Sequence, residues 1–149
     1  GDYRIMIKLI CVGKIKEQYL VDMIMDYNKR INKYHKFNIV EVKDSNIEQE
    51  SKEIIKNIGK GEYIVALAIE GKQMNSLEFA NFMSDTFNHY SCITFIIGGS
   101  DGIFDSIKNN ANLKLSFSKM TMPHGLFRSV LLEQIYRAFK INNNETYHK

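Results

Sequence analysis

Two histidines near the C-terminus are the side chains best suited to proton transfer. His124 follows the only proline, Pro123, at the predicted start of a long helix. Near the positive end of a helix dipole the neutral imidazole is favoured, and it can accept a proton. The chain ends in Tyr147, His148 and Lys149, which add a second imidazole, an aromatic ring and a cation. These residue types suit chemistry on an anionic or aromatic ligand, although a capping or surface role explains His124 equally well.

Two arginines lie on the same predicted helix. Arg128 and Arg137 are nine positions apart, roughly two and a half helical turns, so their side chains diverge in direction. We therefore expect one of them to be available for phosphate while the other is structural.

Two loops follow apolar runs and are candidates for binding a ligand. In the loop GGSDG at 98–102 the glycines lack the Cβ atoms that would obstruct a close approach to the backbone. It matches neither the dinucleotide fingerprint nor the phosphate-binding P-loop, and a tight turn without a ligand also explains it. The segment SFSKMTMPH at 116–124 offers three hydroxyl groups. A plain strand-to-helix connection, capped by Thr121 with Pro123 near the first helical position, is the alternative.

Strands and helices alternate almost throughout the sequence. Strands are predicted at 4–12, 37–42, 63–69, 93–97 and 113–117, and helices at 16–34, 46–58, 75–88, 103–110 and 124–141. The last three strands are continuous apolar runs, which are typical of strands covered on both faces. The pattern predicts an α/β fold with a mostly parallel sheet and helices on both faces. In such sheets ligands bind beyond the carboxyl ends of the strands, where both candidate loops lie.

Composition indicates one globular domain over residues 1–149. The 149 residues are 44% hydrophobic and 25% charged, and the net charge of +3 permits RNA as a partner without requiring it. Cys11 and Cys92 lie in apolar runs and are expected to be buried thiols, so no structural metal site is expected. The N-terminal residues lack the features of a signal peptide, and no apolar stretch could span a bilayer. We therefore expect a cytoplasmic protein with no membrane partner.

Four separated blocks resemble the RlmH family in order and spacing. They are LAIEGK at 67–72, FIIGGSDG at 95–102, LSFSKMTMPH at 115–124, and LLEQIYRAFKI with the terminal YHK. The opening IKLICVGKIKEQY is also similar to that family. The resemblance covers the chain apart from the N-terminal residues and a shorter central segment near 43–52.

This resemblance implies a fold and an activity. The family's members are SPOUT-class methyltransferases, whose α/β sheet ends in a C-terminal trefoil knot. They use S-adenosylmethionine to methylate N3 of a pseudouridine in large-subunit (23S) ribosomal RNA, and they act as homodimers on assembled ribosomes without a metal. The knot is implied by the resemblance alone.

The resemblance also implies site residues. The cofactor would be bound after three strands by Leu67, Gly98, Gly99, Phe117, Ser118, Lys119, Met120, Thr121 and Met122. Methylation at N3 requires the substrate to be positioned and a proton to be removed, and His124 and His148 are the candidate acceptors. Tyr147 is a candidate to stack on an unstacked base, and Arg137, Arg128 and Lys149 are candidates for base or phosphate contacts. His148 is expected to act from the tail, in the other subunit's pocket.

Two other functions remain open at this point. One is a SPOUT methyltransferase that acts on another nucleotide of ribosomal RNA or on transfer RNA. The other is a non-catalytic nucleotide-binding module of flavodoxin-like shape, in which the terminal Tyr-His-Lys would have no use.

Overall fold

The computed structural model describes residues 5–149 and contains five strands and five helices. The strands are β1 (Met6–Val12), β2 (Lys36–Val42), β3 (Tyr63–Gln73), β4 (Cys92–Ile97) and β5 (Leu113–Ser116). The helices are α1 (Gln18–Asn32), α2 (Ile47–Lys56), α3 (Ser76–Phe87), α4 (Asp105–Asn110) and α5 (His124–Asn142). Most predicted bounds agree with these within two residues. Arg4, predicted to open the first strand, lies outside the described residues.

The five strands form one sheet in the order β2-β1-β4-β3-β5, and every neighbouring pair is parallel. The predicted α/β class and parallel sheet are confirmed. Because all the strands point the same way, their carboxyl ends share one edge of the sheet, which is where the candidate loops emerge.

Apolar side chains on the two faces of the sheet form two separate cores. The larger core packs α1, α3 and α5 against side chains such as Leu9 and Phe95. The smaller one packs Ile54 of α2 and Ile107 of α4 against Ile10 and its neighbours. Helices therefore cover both faces, which explains why β4 is buried along its whole length.

Strand β3 is longer than predicted. The sequence predicts an end at residue 69, just before Glu70-Gly71, but pairing with β5 resumes at Lys72 and Gln73 after a shift of register that follows Leu67. At Gly71 a Cβ atom would lie 2.7 Å from the backbone nitrogen of Leu115. The glycine is therefore needed for the close approach of two strands, and it does not end one.

The starts of α3 and α5 differ in chemistry. Asn75 caps α3 and forms a capping box with Glu78. The predicted cap of α5 by Thr121 was wrong, because Pro123 occupies the N-cap position and no side chain caps the helix. Proline fits there because its extended ψ of 147° leads the loop straight into the first turn and it has no N–H to satisfy.

The described helices contain none that is both long and apolar enough to cross a bilayer.

Cys11 and Cys92 are both buried and free, as predicted, and burial raises the pKa of the Cys11 thiol to about 11. Neither thiol is therefore poised for chemistry.

Candidate active site at the carboxyl edge of the sheet

A cleft of about 400 Å³ opens where β3, β4 and β5 end. We call it the first cleft. Its walls come from the residues after each of these three strands and from the start of α5. Eight of the nine predicted cofactor residues line it: Leu67, Gly98, Gly99, Phe117, Ser118, Met120, Thr121 and Met122. Lys119 belongs to the same loop but is not among the lining residues, so its predicted contact stays a prediction.

The glycine loop (residues 98–102) forms a tight turn at the floor of the first cleft. The N–H of Gly102 donates to the carbonyl oxygen of Gly99 across 2.9 Å, and Gly102 has a φ of +81°. A Cβ atom on Gly98 would collide with the backbone carbonyl of Gly102. The tight turn that the sequence left as one alternative is therefore present, and it lines the first cleft; that it binds a ligand stays a prediction.

The connection between β5 and α5 is held by its own hydroxyl groups. The Ser116 hydroxyl donates to the carbonyl of Ser118 (3.1 Å), and the Ser118 hydroxyl accepts from the N–H of Met120 (3.0 Å). Two of the three predicted hydroxyls therefore shape the loop. Met120 itself is 80% exposed at the rim.

Apolar side chains form the deep walls of the first cleft. Leu67, Ile97 and Leu115 are buried strand residues that contact it. Phe117 packs edge-on against Phe79, and its ring centroid lies 5.6 Å from that of Phe127 on α5. An apolar slot edged by backbone polar groups suits a flat ligand with hydrogen-bonding edges, such as a purine.

His124 lies where two clefts meet. It is exposed in the first turn of α5 and lines both the first cleft and a second cleft of about 570 Å³ between α5 and the β1–α1 loop. The second cleft carries the cations Lys14 and Lys16 and the acids Glu17 and Asp44. His124 can therefore reach a ligand that enters from either side.

Arg128 is buried beneath the second cleft. Its Nη1 donates to Glu41 Oε2 (2.7 Å), and its Nη2 donates to the carbonyl of Gly13 (3.1 Å). Its side chain is 3% exposed, whereas that of Glu41 is 47% exposed. Of the two diverging arginines, Arg128 is thus engaged by the fold at the end of β1. Its predicted contact with RNA phosphate stays a prediction.

The C-terminal tail (residues 143–149) folds back onto α5 and α1. The Tyr147 hydroxyl donates to Glu133 Oε2 (2.8 Å) and lies 3.5 Å from the Tyr27 hydroxyl. Its ring packs edge-on against Tyr136, and the guanidinium of Arg137 lies 4.7 Å from its centroid. Burial, the Tyr27 hydroxyl and the Glu133 carboxylate raise the pKa of Tyr147 well above its usual value. The Tyr147 hydroxyl is therefore protonated at neutral pH and acts as a donor.

The Glu133 carboxylate links Arg137 of α5 to the C-terminal tail. Glu133 accepts from Arg137 Nη2 (2.8 Å) and Nε (3.2 Å), and Arg137 Nη1 lies 3.1 Å from His148 Nδ1. Arg137, Tyr147 and His148 therefore form one cluster around Glu133, and Lys149 follows exposed beside them.

The tail cluster and the first cleft are separate places on one subunit. Arg137 stands 13 residues beyond His124 on α5, which corresponds to about 20 Å along the helix axis. The structure brings the predicted cofactor residues and His124 together, and it gathers Arg137, Tyr147 and His148 elsewhere. Within this chain the two groups are therefore too far apart to contact the same base.

Sequence reasoning gave no role to two carboxylates that hold these groups. Glu133 could have been identified, because it lies four residues before Arg137 on one helix face. Glu41 carries no such signal, since it meets Arg128 across 87 positions. Among residues 5–149, no group of three or more potential ligand side chains could hold a metal ion.

A family model described as "Predicted SPOUT methyltransferase" matches residues 5–148. The chain is 47% identical to "Ribosomal RNA large subunit methyltransferase H" of Streptococcus uberis, with 96% of this chain and 99% of that protein covered. It is 45% identical to the protein of the same name from Streptococcus sanguinis, with the same coverage.

Solved structures share the fold at low sequence identity. A crystal structure of a putative methylase family protein from Neisseria gonorrhoeae superimposes with a TM-score of 0.58 at 10% identity. The match covers 100% of this chain and 89% of that one. This likeness supports the architecture described above.

Proposed function

The chain belongs to the SPOUT methyltransferase family, and from that membership we propose that it methylates N3 of a pseudouridine in large-subunit ribosomal RNA. The methyl donor is S-adenosylmethionine, the cofactor of this family. The observation that carries the proposal is the first cleft, which is formed by three loops at the same sheet edge and lined by eight of the nine residues expected to bind the cofactor. The relatives' printed name supports ribosomal RNA as the substrate.

The residues of the first cleft fit this cofactor. Leu67, Ile97 and Leu115 supply apolar walls for an adenine ring, and the loops after them supply backbone groups for its polar edges. The absence of a Cβ at Gly98 keeps the glycine loop closed beneath the cofactor. When bound, the cofactor supplies an electrophilic methyl carbon, whose bond to sulfur breaks with the electron pair left on sulfur.

The chain's own residues position the RNA and remove a proton. His124, at the start of α5 and at the wall of the first cleft, is proposed to accept the proton of N3. Tyr147 is proposed to pack on the target base, with Arg137 beside it, and the exposed Lys149 is proposed to contact phosphate. Arg128 is proposed to support RNA binding from its buried position, through the loop after β1 that it holds.

The proposal includes a homodimer, because one subunit keeps the tail about 20 Å from its own first cleft, measured along α5. Two large apolar side chains that line the second cleft are exposed, Tyr19 (71%) and Leu126 (42%), and Met25 (65%) is exposed further along α1. In this proposal a second subunit covers them and places its tail next to His124. We therefore propose that each active site combines the cofactor cleft of one subunit with the tail of the other.

The proposal also places the enzyme in the cytoplasm, on assembled ribosomes. One subunit carries a net charge of only +3, so a dimer and the ribosome's own surface would both contribute to docking. The trefoil knot expected of the family belongs to the proposal as well.

The test is methyl transfer from labelled S-adenosylmethionine to intact ribosomes from a strain that lacks the activity, with the product mapped by mass spectrometry. Label at N3 of one large-subunit pseudouridine is expected. Label on another ribosomal nucleotide or on transfer RNA would support the alternative SPOUT activity. Absence of label from all RNA, with the cofactor still bound, would overturn the proposed substrate.

A further inference from the structure

We infer that His148 serves the reaction as a hydrogen-bond donor through Nε2, and that it is not the base that removes the proton from N3. The inference rests on the proposed function and assigns separate roles to its two histidines. It comes from the contact between Arg137 Nη1 and His148 Nδ1, which are 3.1 Å apart.

The partner of Nδ1 fixes the tautomer of His148. A guanidinium carries five N–H donors and no acceptor, so Nδ1 must offer its lone pair to Arg137. A neutral imidazole with a free lone pair on Nδ1 carries its proton on Nε2. The nitrogen that remains available to a substrate is therefore a donor, and the accepting nitrogen is already occupied.

Glu133 keeps Arg137 in the orientation that this contact requires. Its carboxylate binds the guanidinium through Nη2 and Nε, which leaves Nη1 turned toward His148. The same carboxylate accepts from Tyr147, whose hydroxyl also meets Tyr27 of α1. Of the charged and titratable groups in this cluster, Arg137 contacts the His148 ring. Glu133, Tyr147 and Tyr27 contact Arg137 or one another, and Lys149 follows His148 in the chain.

A donor at this position suits the chemistry at N3. N3 of a pseudouridine lies between two carbonyl groups, and negative charge builds up on their oxygens as the N3 proton leaves. An Nε2–H aimed at one oxygen stabilises that charge. N3 forms its bond to the methyl group, and its proton passes to His124, which lines the first cleft.

Nitrogen NMR tests the tautomer without any substrate. The chain has four histidines, and a long-range proton–nitrogen spectrum of the ¹⁵N-histidine-labelled protein reports which ring nitrogen is protonated in each. The His148→Gln spectrum identifies the His148 signals. We expect the proton on Nε2, and we expect Arg137→Met to convert His148 to a mixture of tautomers. A proton on Nδ1 in the unmodified protein would overturn the inference, whether or not ribosomes are methylated.

Kinetics on ribosomes then separate donor from base. The amide nitrogen of Gln can take the place of Nε2–H but cannot accept a proton, so we expect His148→Gln to keep kcat within about tenfold of the unmodified enzyme. His148→Ala is expected to lose roughly 100-fold or more, which is typical of a lost transition-state donor. His89→Gln, at an exposed position after α3, is the matched control and should change neither kcat nor KM.

The pH profile gives the decisive outcome. With a donor at His148, the acidic limb of the kcat profile belongs to another group and persists in His148→Gln. If Gln is as inactive as Ala, or if the acidic limb disappears in the Gln variant, His148 is the base and the inference is wrong.

Discussion

Gly98 is the residue at which the addition of one methyl group should most affect the cofactor. A Cβ there would collide with the carbonyl of Gly102, which is backbone and cannot rotate aside. Relieving such overpacking typically costs about 1–3 kcal/mol. The glycine loop would have to open beneath the ligand.

We therefore expect Gly98→Ala to weaken S-adenosylmethionine binding by roughly tenfold or more, since about 1.4 kcal/mol corresponds to a factor of ten. Isothermal titration calorimetry measures this directly. Gly61→Ala is the control. It also replaces a turn glycine, at a φ of +79° with open space around it, so it should cost roughly 1–2 kcal/mol of stability and leave the dissociation constant unchanged. Equal affinities in all three proteins would contradict this account of the loop.

The loops of the first cleft could be predicted from local sequence, because small residues after apolar runs mark strand ends in an open sheet. The individual cofactor residues came from the family resemblance. The environment of Arg128 could not be predicted from the sequence. Its partner Glu41 is 87 positions away, and a sequence does not state which charged side chains meet across such a distance. The contact between His148 and Arg137 was equally hidden, because it depends on the direction in which the tail turns after α5.

At the level of whole elements, a largely buried ionic cluster joins β1 and β4 to the segment just before β3, at the sheet edge opposite the clefts. Lys8 of β1 donates to Glu62 Oε2 (2.8 Å), and Thr94 of β4 donates to Glu62 Oε1 (2.6 Å). The N–H of Gly59 also donates to this carboxylate. Burial by itself raises the pKa of the Glu62 carboxyl, but these hydrogen bonds outweigh burial and hold the pKa below its usual value.

A lowered pKa in the folded state means that Glu62 stabilises the protein above its unfolded pKa of about 4.3, and that this contribution is lost as the pH falls through the folded pKa. We expect Glu62→Gln to lower the free energy of unfolding by about 1–3 kcal/mol at pH 7, because buried partners lose their acceptor. Urea unfolding at pH 7 and pH 3 measures the difference.

The difference between the two proteins should shrink as the pH falls through the folded pKa of Glu62, because protonation removes the carboxylate from the unmodified protein as well. Glu53→Gln, which removes a more exposed pair with Lys56, should be nearly neutral at both values. A constant difference between the unmodified protein and the Glu62→Gln variant across the two conditions would show that the carboxylate's charge contributes nothing.

Element types and most bounds followed from periodicity, whereas β3 shows where this method fails. Glu70-Gly71 has the composition of a turn, yet the chain passes through it within a strand, because Gly71 permits close contact with the backbone of β5. Composition alone does not separate a glycine that ends a strand from one that a neighbouring strand requires.

For the whole molecule, the proposed sharing of sites between subunits predicts complementation. A variant lacking residues 147–149 and a Gly98→Val variant should each be inactive. After the two are unfolded and refolded together in equal amounts, we expect about a quarter of wild-type activity, since half of randomly formed symmetric dimers are mixed and each carries one complete site. Rates on ribosomes measure it.

The same mixture excludes the alternative arrangement. If each tail acted on the cleft of its own subunit, no complete site would form and the mixture would stay inactive. Two copies of one variant, refolded in the same way, provide the control for activity regained by refolding alone.

Continuous apolar strands predicted the parallel sheet, but the order β2-β1-β4-β3-β5 lay beyond the sequence, because periodicity reports how a strand is covered and not which strand is its neighbour. The trefoil knot and the single domain over residues 1–149 stay predictions.

This strand order limits how far the protein can fold while it is still being synthesised. β1 lies between β2 and β4, and Met6 pairs with Cys92, far along the chain. The core over β1 is closed by residues of α5 such as Leu131 and Phe139, which are synthesised long after it. Contacts of such long separation make folding slow. The larger core therefore cannot close until α5 has emerged from the ribosome, and until then the nascent chain must carry that face of its first strand uncovered.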